Sequence, residues 1–119
     1  MLVGSARVST QEQTLALQQD ALKKAGCERA FADTVSGAKW TLQERVGLAE
    51  ALEFMRVGDT LVVWKLDRLG RSLKNLIETV TVLQERGIGF KSLTEQIDTT
   101  SSGGKLIFHV FGALAEFER

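Results

Sequence analysis

The scarcity of three residue types limits the classes of protein to which this sequence can belong. It contains no proline, one cysteine and one histidine among 119 residues. Because a disulfide needs two cysteines, none can form within the chain, and we expect a reducing compartment, the cytoplasm. We interpret Cys27 as a small apolar residue that is partly buried. No apolar run approaches the roughly 20 residues of a membrane span, and the start lacks the features of a signal peptide, so we expect no membrane partner.

The chain also lacks an excess of charge of either sign. Lysine and arginine together number 15, as do aspartate and glutamate, so the formal net charge is zero. Nucleic-acid-binding domains usually carry a clear basic excess. Any DNA affinity must therefore come from local patches or from a part of the protein outside this sequence. No histidines, cysteines or paired carboxylates cluster along the chain, so we expect no metal and no cofactor. His109 is interpreted as a structural residue.

Short apolar runs alternate with amphipathic segments, which is the pattern of an α/β fold with a mainly parallel sheet. The runs predict strands at residues 2–8, 29–33, 60–64 and 88–93. Apolar residues at helical spacing predict helices at residues 10–25, from about Leu48 to before Gly58, at 72–87 and at 105–119. Polar residues predict a loop from residue 34 to about 43 and a linker at residues 98–104. Gly26 and Gly87 are expected to end their helices in the left-handed conformation.

The last predicted helix carries more apolar surface than one small sheet needs. Its apolar residues share one broad face and are Leu106, Ile107, Val110, Phe111, Leu114 and Phe117. We expect part of this face to point outward and to form an interface. No stop signal ends the helix. The predicted organisation is therefore a core of residues 1–104, followed by residues 105–119 as the start of a longer helix.

Two places at predicted strand ends are rich in functional groups, and ligands of parallel sheets bind at such ends. At the first, Arg7 and Ser9 point to the same side if the strand persists. Spacing alone favours another role for Ser9, as a helix N-cap that pairs with Glu12. The second place is residues 65–74, with four basic side chains against one acidic one. This basic segment is open to a simpler interpretation as a solvated turn.

Taken together, the two places indicate chemistry on a phosphate group. The basic segment includes Arg68 and Arg71, which share a face if the turn is helical. Guanidinium groups are planar, permanently charged and able to hold a phosphate through two bonds. A serine oxygen, several arginines and a helix N-terminus would stabilise a phosphoryl-transfer transition state without a metal ion.

These residues also carry a family resemblance. Residues 4–10 (GSARVST) with Gln13, and residues 66–72 (LDRLGRS), resemble the two signature blocks of the resolvase/invertase family of serine site-specific recombinases. Further similarity follows in the family's order at residues 31–33, 36–37, 58–64, 86–88, 92–93, 97–99 and 112–119. The resemblance covers nearly the whole chain. It implies a three-layer α/β sandwich around a mainly parallel sheet, with a long C-terminal helix that is cut short here.

The resemblance implies a role for each matching residue. Ser9 corresponds to the nucleophile, which attacks a DNA phosphodiester, forms a phosphoseryl link and releases a 3′-hydroxyl. The surrounding arginines correspond to Arg7, Arg68 and Arg71. Asp67 corresponds to the adjacent aspartate, which orients an arginine or helps to move a proton, and Arg45 is matched to one more active-site arginine. Residues that match positions with supporting roles are Gln13, Gln18, Asp33, Ser36 and Arg119.

The family also implies partners, and this chain departs from the family pattern at two places. The implied partners are double-stranded DNA, bound by the full-length parent, and further copies of the chain. Copies would form a homodimer through the last helix and a tetramer in the synaptic complex. A helix-turn-helix module would follow outside this sequence, in a protein encoded by a bacterium or a mobile element. The departures are Ser5, where the family usually has tyrosine, and residues 39–47, where the family segment is shorter.

Two other functions stay open from the sequence. The departures favour an inactive recombinase remnant that only dimerises. Alternatively, the same strand ends would suit a flavodoxin-like phosphate-binding module, which needs no reactive serine.

Overall fold

The fold is built on a five-stranded sheet in the order β2-β1-β3-β4-β5. A computed structural model describes residues 1–8, 15–34, 46–66, 69 and 73–117, without the side chains of residues 34 and 111–117. The strands are β1 (Leu2–Val8), β2 (Arg29–Thr34), β3 (Thr60–Val63), β4 (Gly89–Ser92) and β5 (Ile97–Asp98). The first four are parallel to one another, and β5 runs antiparallel to β4. The four predicted strands and their mainly parallel sheet are confirmed.

Four helices cover the sheet. They are α1 (Leu15–Lys24), α2 (Val46–Phe54), α3 (Leu73–Glu85) and α4 (Ser102–Phe117). Gly26 and Gly87 follow α1 and α3 with φ of 97° and 74°, as expected for left-handed helix ends. The predicted start of the first helix at residues 10–14, and the predicted loop beyond Thr34, lie outside the described residues. None of the described helices is long and apolar enough to cross a membrane.

The two faces of the sheet are covered by different helices, because successive side chains of a strand point to opposite faces. Val3 of β1 packs into the larger core, which lies between the sheet and helices α2, α3 and α4. Ala6 packs with Leu22 of α1 and Val62 of β3 on the opposite face. The result is the expected three-layer sandwich. Cys27 packs against the smaller cluster, and burial raises the pKa of its thiol, in agreement with its interpretation as a partly buried apolar residue.

The polar linker expected at residues 98–104 was wrong. Asp98 belongs to β5, and α4 begins at Ser102, earlier than the predicted residue 105. Ser101 acts as the helix cap, because its Oγ accepts a hydrogen bond from the Gly104 amide at 3.0 Å and donates one to the Asp98 carbonyl at 2.8 Å. Polar residues that predicted a linker therefore form a compact turn and a helix start.

In the part of α4 whose side chains are described, the inward-facing large residue is Phe108, which the predicted apolar face did not include. Phe108 is buried and meets the Phe90 ring edge-on, with ring centres 5.6 Å apart. Leu106, Ile107 and Val110 are 64%, 42% and 50% exposed. This part of the predicted apolar face therefore points outward. Phe111, Leu114 and Phe117 lie on α4, outside the described side chains.

Two adjacent glycines at the start of α4 provide a test of how closely it approaches β5. A Cβ on Gly104 would overlap the Asp98 carbonyl oxygen, whereas a Cβ on Gly103 would meet nothing within 4 Å. We expect Gly103→Ala to stabilise the fold by up to about 1 kcal/mol, because alanine is the better helix former. Gly104→Ala should destabilise it by about 1–3 kcal/mol or more, because the helix must shift. Urea unfolding of both variants measures the difference, and equal stabilities would contradict the close approach.

Candidate active site

The parallel strands bring two predicted site residues together at one edge of the sheet. Arg7 of β1 lies opposite Asp33 of β2 in the strand register. Parallel neighbours in register point to the same face, so the two side chains share the face that carries Val3 and the larger core. Ser9 follows β1 directly and, like Gln13, lies outside the described residues.

Gln18 fixes the end of β1. It is fully buried, and its Nε2 donates to the Arg7 carbonyl at 2.9 Å while its Oε1 accepts from the Arg7 amide at 3.1 Å. Strand β1 pairs with β3 only as far as Ser5, so the Gln18 side chain supplies backbone partners beyond that point. Helix α1 is thereby tied to the strand end that leads to Ser9. Gln18 therefore holds the backbone at the end of β1 in place.

Asp33 ties the end of β2 to the start of α2. Its carboxylate is buried and accepts hydrogen bonds from the amides of Gly47 at 2.7 Å and Leu48 at 3.0 Å. The first amides of a helix have no acceptor within the helix, and a carboxylate is the favoured partner there. Ser36 and Arg45 lie between Asp33 and this helix start, outside the described residues.

The end of β3 is held by the turn that follows β4. The Trp64 carbonyl accepts hydrogen bonds from the Thr94 amide at 2.9 Å and from its hydroxyl at 2.7 Å. The Leu66 amide donates to both carboxylate oxygens of Glu95, at 3.3 and 3.4 Å. Sequence reasoning missed Thr94 and Glu95. Their position in the sequence could have indicated them, because they follow the carboxyl end of a parallel strand, where ligands of such sheets bind.

The basic segment begins on this held backbone. The Leu69 amide donates to the Leu66 carbonyl at 3.1 Å, and the Leu69 side chain is buried in the larger core. Asp67 and Arg68 lie between these two fixed residues, and Arg71 follows them; all three are outside the described residues, as is Arg119. Lys65, at the start of the segment, places its ammonium 4.7 Å from the centre of the Trp64 ring.

Ser5, one of the two departures from the family pattern, is fully buried on the same face as Arg7. Its register neighbours are Phe31 and Val63. Within the described part of the chain, its hydroxyl has no hydrogen-bond partner, and a buried hydroxyl in that state lowers stability.

The described residues also contain no group of three or more histidine, cysteine, aspartate or glutamate side chains placed to hold a metal ion.

Two neighbouring glutamines test the attachment of α1 to β1. Gln18→Leu removes both hydrogen bonds to the Arg7 backbone and leaves those groups buried without these partners, so we expect a loss of about 2–4 kcal/mol in the free energy of unfolding. Gln19→Leu, at an exposed position of the same helix, is the matched control and should change stability by less than about 0.5 kcal/mol. Chemical denaturation measures both. Similar losses in the two variants would rule out a special role for Gln18.

The sequence is similar to named recombinases over its whole length. It is 58% identical to the serine recombinase Gin of Escherichia phage Mu, 56% identical to a DNA-invertase of Escherichia phage P1 and 53% identical to the Tn552 resolvase of Staphylococcus aureus. Each match covers all of this chain but 60%, 62% and 60% of the relative. The chain thus spans about three fifths of the length of these relatives.

Solved structures and a family model agree with these matches. The N-terminal catalytic domain of TP901-1 integrase superposes with a TM-score of 0.83 at 34% identity, covering 99% of this chain and 95% of that one. A resolvase family site-specific recombinase from Streptococcus pneumoniae shares the fold, with a TM-score of 0.78 at 23% identity over 99% of this chain and 87% of that one. The model of the resolvase N-terminal domain matches residues 2–119. This chain therefore belongs to the resolvase family.

Proposed function

We propose that this chain is the catalytic domain of a serine site-specific recombinase, which cuts and rejoins double-stranded DNA through Ser9. The observation that carries the proposal is the meeting of strand ends. The end of β1, with Arg7, and the end of β3, which leads into Arg68 and Arg71, lie at the same edge of a parallel sheet. The names of the relatives (serine recombinase, DNA-invertase and resolvase) support the same function.

The proposed reaction is a phosphoryl transfer in two reversible steps. The Ser9 oxygen attacks the phosphorus of a DNA phosphodiester, and the bond from phosphorus to the 3′-oxygen breaks. The serine gives up its proton and the departing 3′-oxygen gains one, which leaves a phosphoserine link and a free 3′-hydroxyl. A 3′-hydroxyl of the exchanged strand then attacks this link and releases Ser9. Because one phosphodiester bond is exchanged for another, no external energy source is needed.

The charged residues have distinct proposed roles in this reaction. Arg7, Arg68 and Arg71 would surround the phosphate and stabilise the negative charge that grows on its oxygens. Asp67 would orient one of these guanidinium groups or help to move a proton, and Arg45 would add a further positive charge. The held backbone at Arg7, Leu66 and Leu69 supports this proposal, because charge stabilisation depends on groups that are fixed before the reaction.

The zero net charge fits a division of labour in a longer protein. Non-specific DNA affinity comes mainly from neutralised phosphates, and this chain has no overall basic excess to supply it. Recognition of a DNA site would therefore belong to the part of the protein outside this sequence. Relatives from phages and transposons support a protein encoded by a mobile element.

A covalent adduct tests the nucleophile directly. We expect residues 1–119, fused to a DNA-binding module of known target, to form a protein–DNA adduct on duplexes whose two target sites flank a randomised centre. The adduct should resist denaturing gel electrophoresis and should form in excess chelator, since arginines replace metal ions in the proposal. Ser9→Ala should abolish it without changing DNA binding, whereas Ser9→Cys should keep weak activity, because a thiol is still a nucleophile.

The matched control is Ser102→Ala, at an exposed serine at the start of α4, which should form the adduct at the wild-type rate. An adduct in Ser9→Ala, or a strict requirement for magnesium, would contradict the mechanism. DNA binding without any adduct would favour the phosphate-binding module.

We further propose that α4 pairs with a second copy of this chain, and that two such dimers form the tetramer that exchanges strands. Leu106, Ile107 and Val110 support this assembly, because they form an exposed apolar face while Phe108 attaches the helix to its own sheet. Exposed apolar patches of this kind mark interfaces. Phe111, Leu114 and Phe117 would extend the contact along the helix.

Charge placed on this face should separate the copies. We expect the double variant Leu106→Lys with Val110→Lys to raise the dimer dissociation constant by roughly 10,000-fold, because about 1.5 kcal/mol of apolar burial is lost at each of the two positions in both copies. Leu17→Lys, at a 54% exposed position on α1, is the matched control and should leave the dimer intact. Sedimentation equilibrium measures both. A wild-type chain that stays monomeric at high concentration would contradict the interface while leaving the catalytic proposal in place.

A further inference from the structure

We propose that Glu95 is a positioning residue for the basic segment, residues 65–74: its carboxylate fixes the Leu66 amide and thereby sets where the arginines that follow are placed. The inference rests on the proposed function, which gives those arginines their role at the phosphate. Glu95 itself lies on the turn between β4 and β5, and β3 separates β4 from β1 in the sheet.

The first step is that the Glu95 carboxylate is held on two sides. The Leu66 amide donates to both of its oxygens, at 3.3 and 3.4 Å, and the hydroxyl of Ser92 donates to Oε1. Ser92 is the last residue of β4 and is fully buried. Glu95 therefore links a buried strand end to the first turn of the basic segment.

The second step is that the turn after β4 forms hydrogen bonds with consecutive residues of the chain that leaves β3. The Leu93 amide donates to the Val63 carbonyl at 3.0 Å, and Thr94 donates twice to the Trp64 carbonyl. Glu95 then accepts the hydrogen bond from the Leu66 amide. Three consecutive residues of the turn thus hold the path out of β3, and Leu69 anchors its far side in the core. In the sequence, Asp67 and Arg68 are therefore flanked by one held residue on each side, Leu66 and Leu69.

The third step is that the turn has little freedom of its own. Gln96 adopts φ of 58°, a left-handed conformation that is uncommon for residues other than glycine. Strand β5 returns directly and pairs Ile97 with Ser92. The Thr99 amide then donates to the Phe90 carbonyl, and the Thr99 hydroxyl accepts from the Phe90 amide, both at 2.9 Å. A turn that is fixed at both ends can transmit a fixed position to Leu66.

Because Glu95 is negatively charged, its removal has different expected effects if it positions the basic segment than if it only contributes surface charge. A carboxylate beside a basic segment repels DNA phosphates, so its removal should leave DNA affinity unchanged or improve it. Loss of positioning should instead slow the reaction of bound DNA. The two roles predict opposite consequences for the same substitution.

The first measurement uses the chain without DNA. In Glu95→Ala, hydrogen exchange at the Leu66 amide should become about tenfold faster, because one hydrogen bond to a charged acceptor is lost. Exchange at the Val62 amide, within β3, should stay unchanged and shows that the fold is intact. Glu85→Ala, at an exposed glutamate that ends α3, is the matched control and should leave Leu66 unchanged. Unchanged Leu66 exchange in Glu95→Ala would overturn the proposal.

The second measurement uses the fused chain and the adduct assay. At saturating DNA, Glu95→Ala should form the adduct about tenfold more slowly while its DNA dissociation constant does not rise. Glu95→Gln keeps an oxygen that accepts the Leu66 amide and should recover most of the rate. A variant with weaker DNA binding and a normal rate at saturation would overturn the proposal. Failure of the wild-type chain to form any adduct would count against the proposed function alone, since the exchange measurement still decides the role of Glu95.

Discussion

The parallel pairing of β1 with both β2 and β3 is the constraint on which the rest of this structure depends. Parallel strands end at the same edge of a sheet, so the pairing brings Arg7, Asp33 and the residues after Val63 to one place. Both faces of the sheet are covered by helices, which explains why all four residues of β3 are buried. The apolar core thereby fixes where β1, β2 and β3 end at this edge of the sheet.

The strand ends are then held by polar side chains from neighbouring elements. Gln18 satisfies the backbone of β1, Asp33 receives the first amides of α2, and Glu95 receives the amide of Leu66. Each contact joins a side chain to a backbone group, so it sets the position of a segment, not only of one residue. The proposed phosphoryl transfer would depend on such fixed positions, because charge stabilisation is strongest when the groups that provide it are placed before the reaction.

Much of the fold could be predicted from local patterns. Short apolar runs predicted the four parallel strands, and a parallel order of β1 and β2 already implies that Arg7 and Asp33 are near each other. The misses have a common physical cause. Ser101, Thr94 and Glu95 are polar, and their partners are set by turns or by contacts distant in sequence, which a hydrophobic period does not show. Phe108 was missed because the predicted face of the last helix was centred on its neighbours. The catalytic roles of Ser9 and of the arginines in the basic segment come from the family resemblance and stay predictions.

The residue to which cleaved DNA becomes attached identifies the nucleophile. The adduct would be digested with nuclease and trypsin, and the peptide that carries the remaining nucleotide would be identified by mass spectrometry. We expect a nucleotide 5′-phosphate on the peptide of residues 8–23, with fragmentation placing it on Ser9 rather than on Thr10 or Thr14. A nucleotide on any other residue, or a phosphate that joins the protein to a 3′-oxygen, would contradict it.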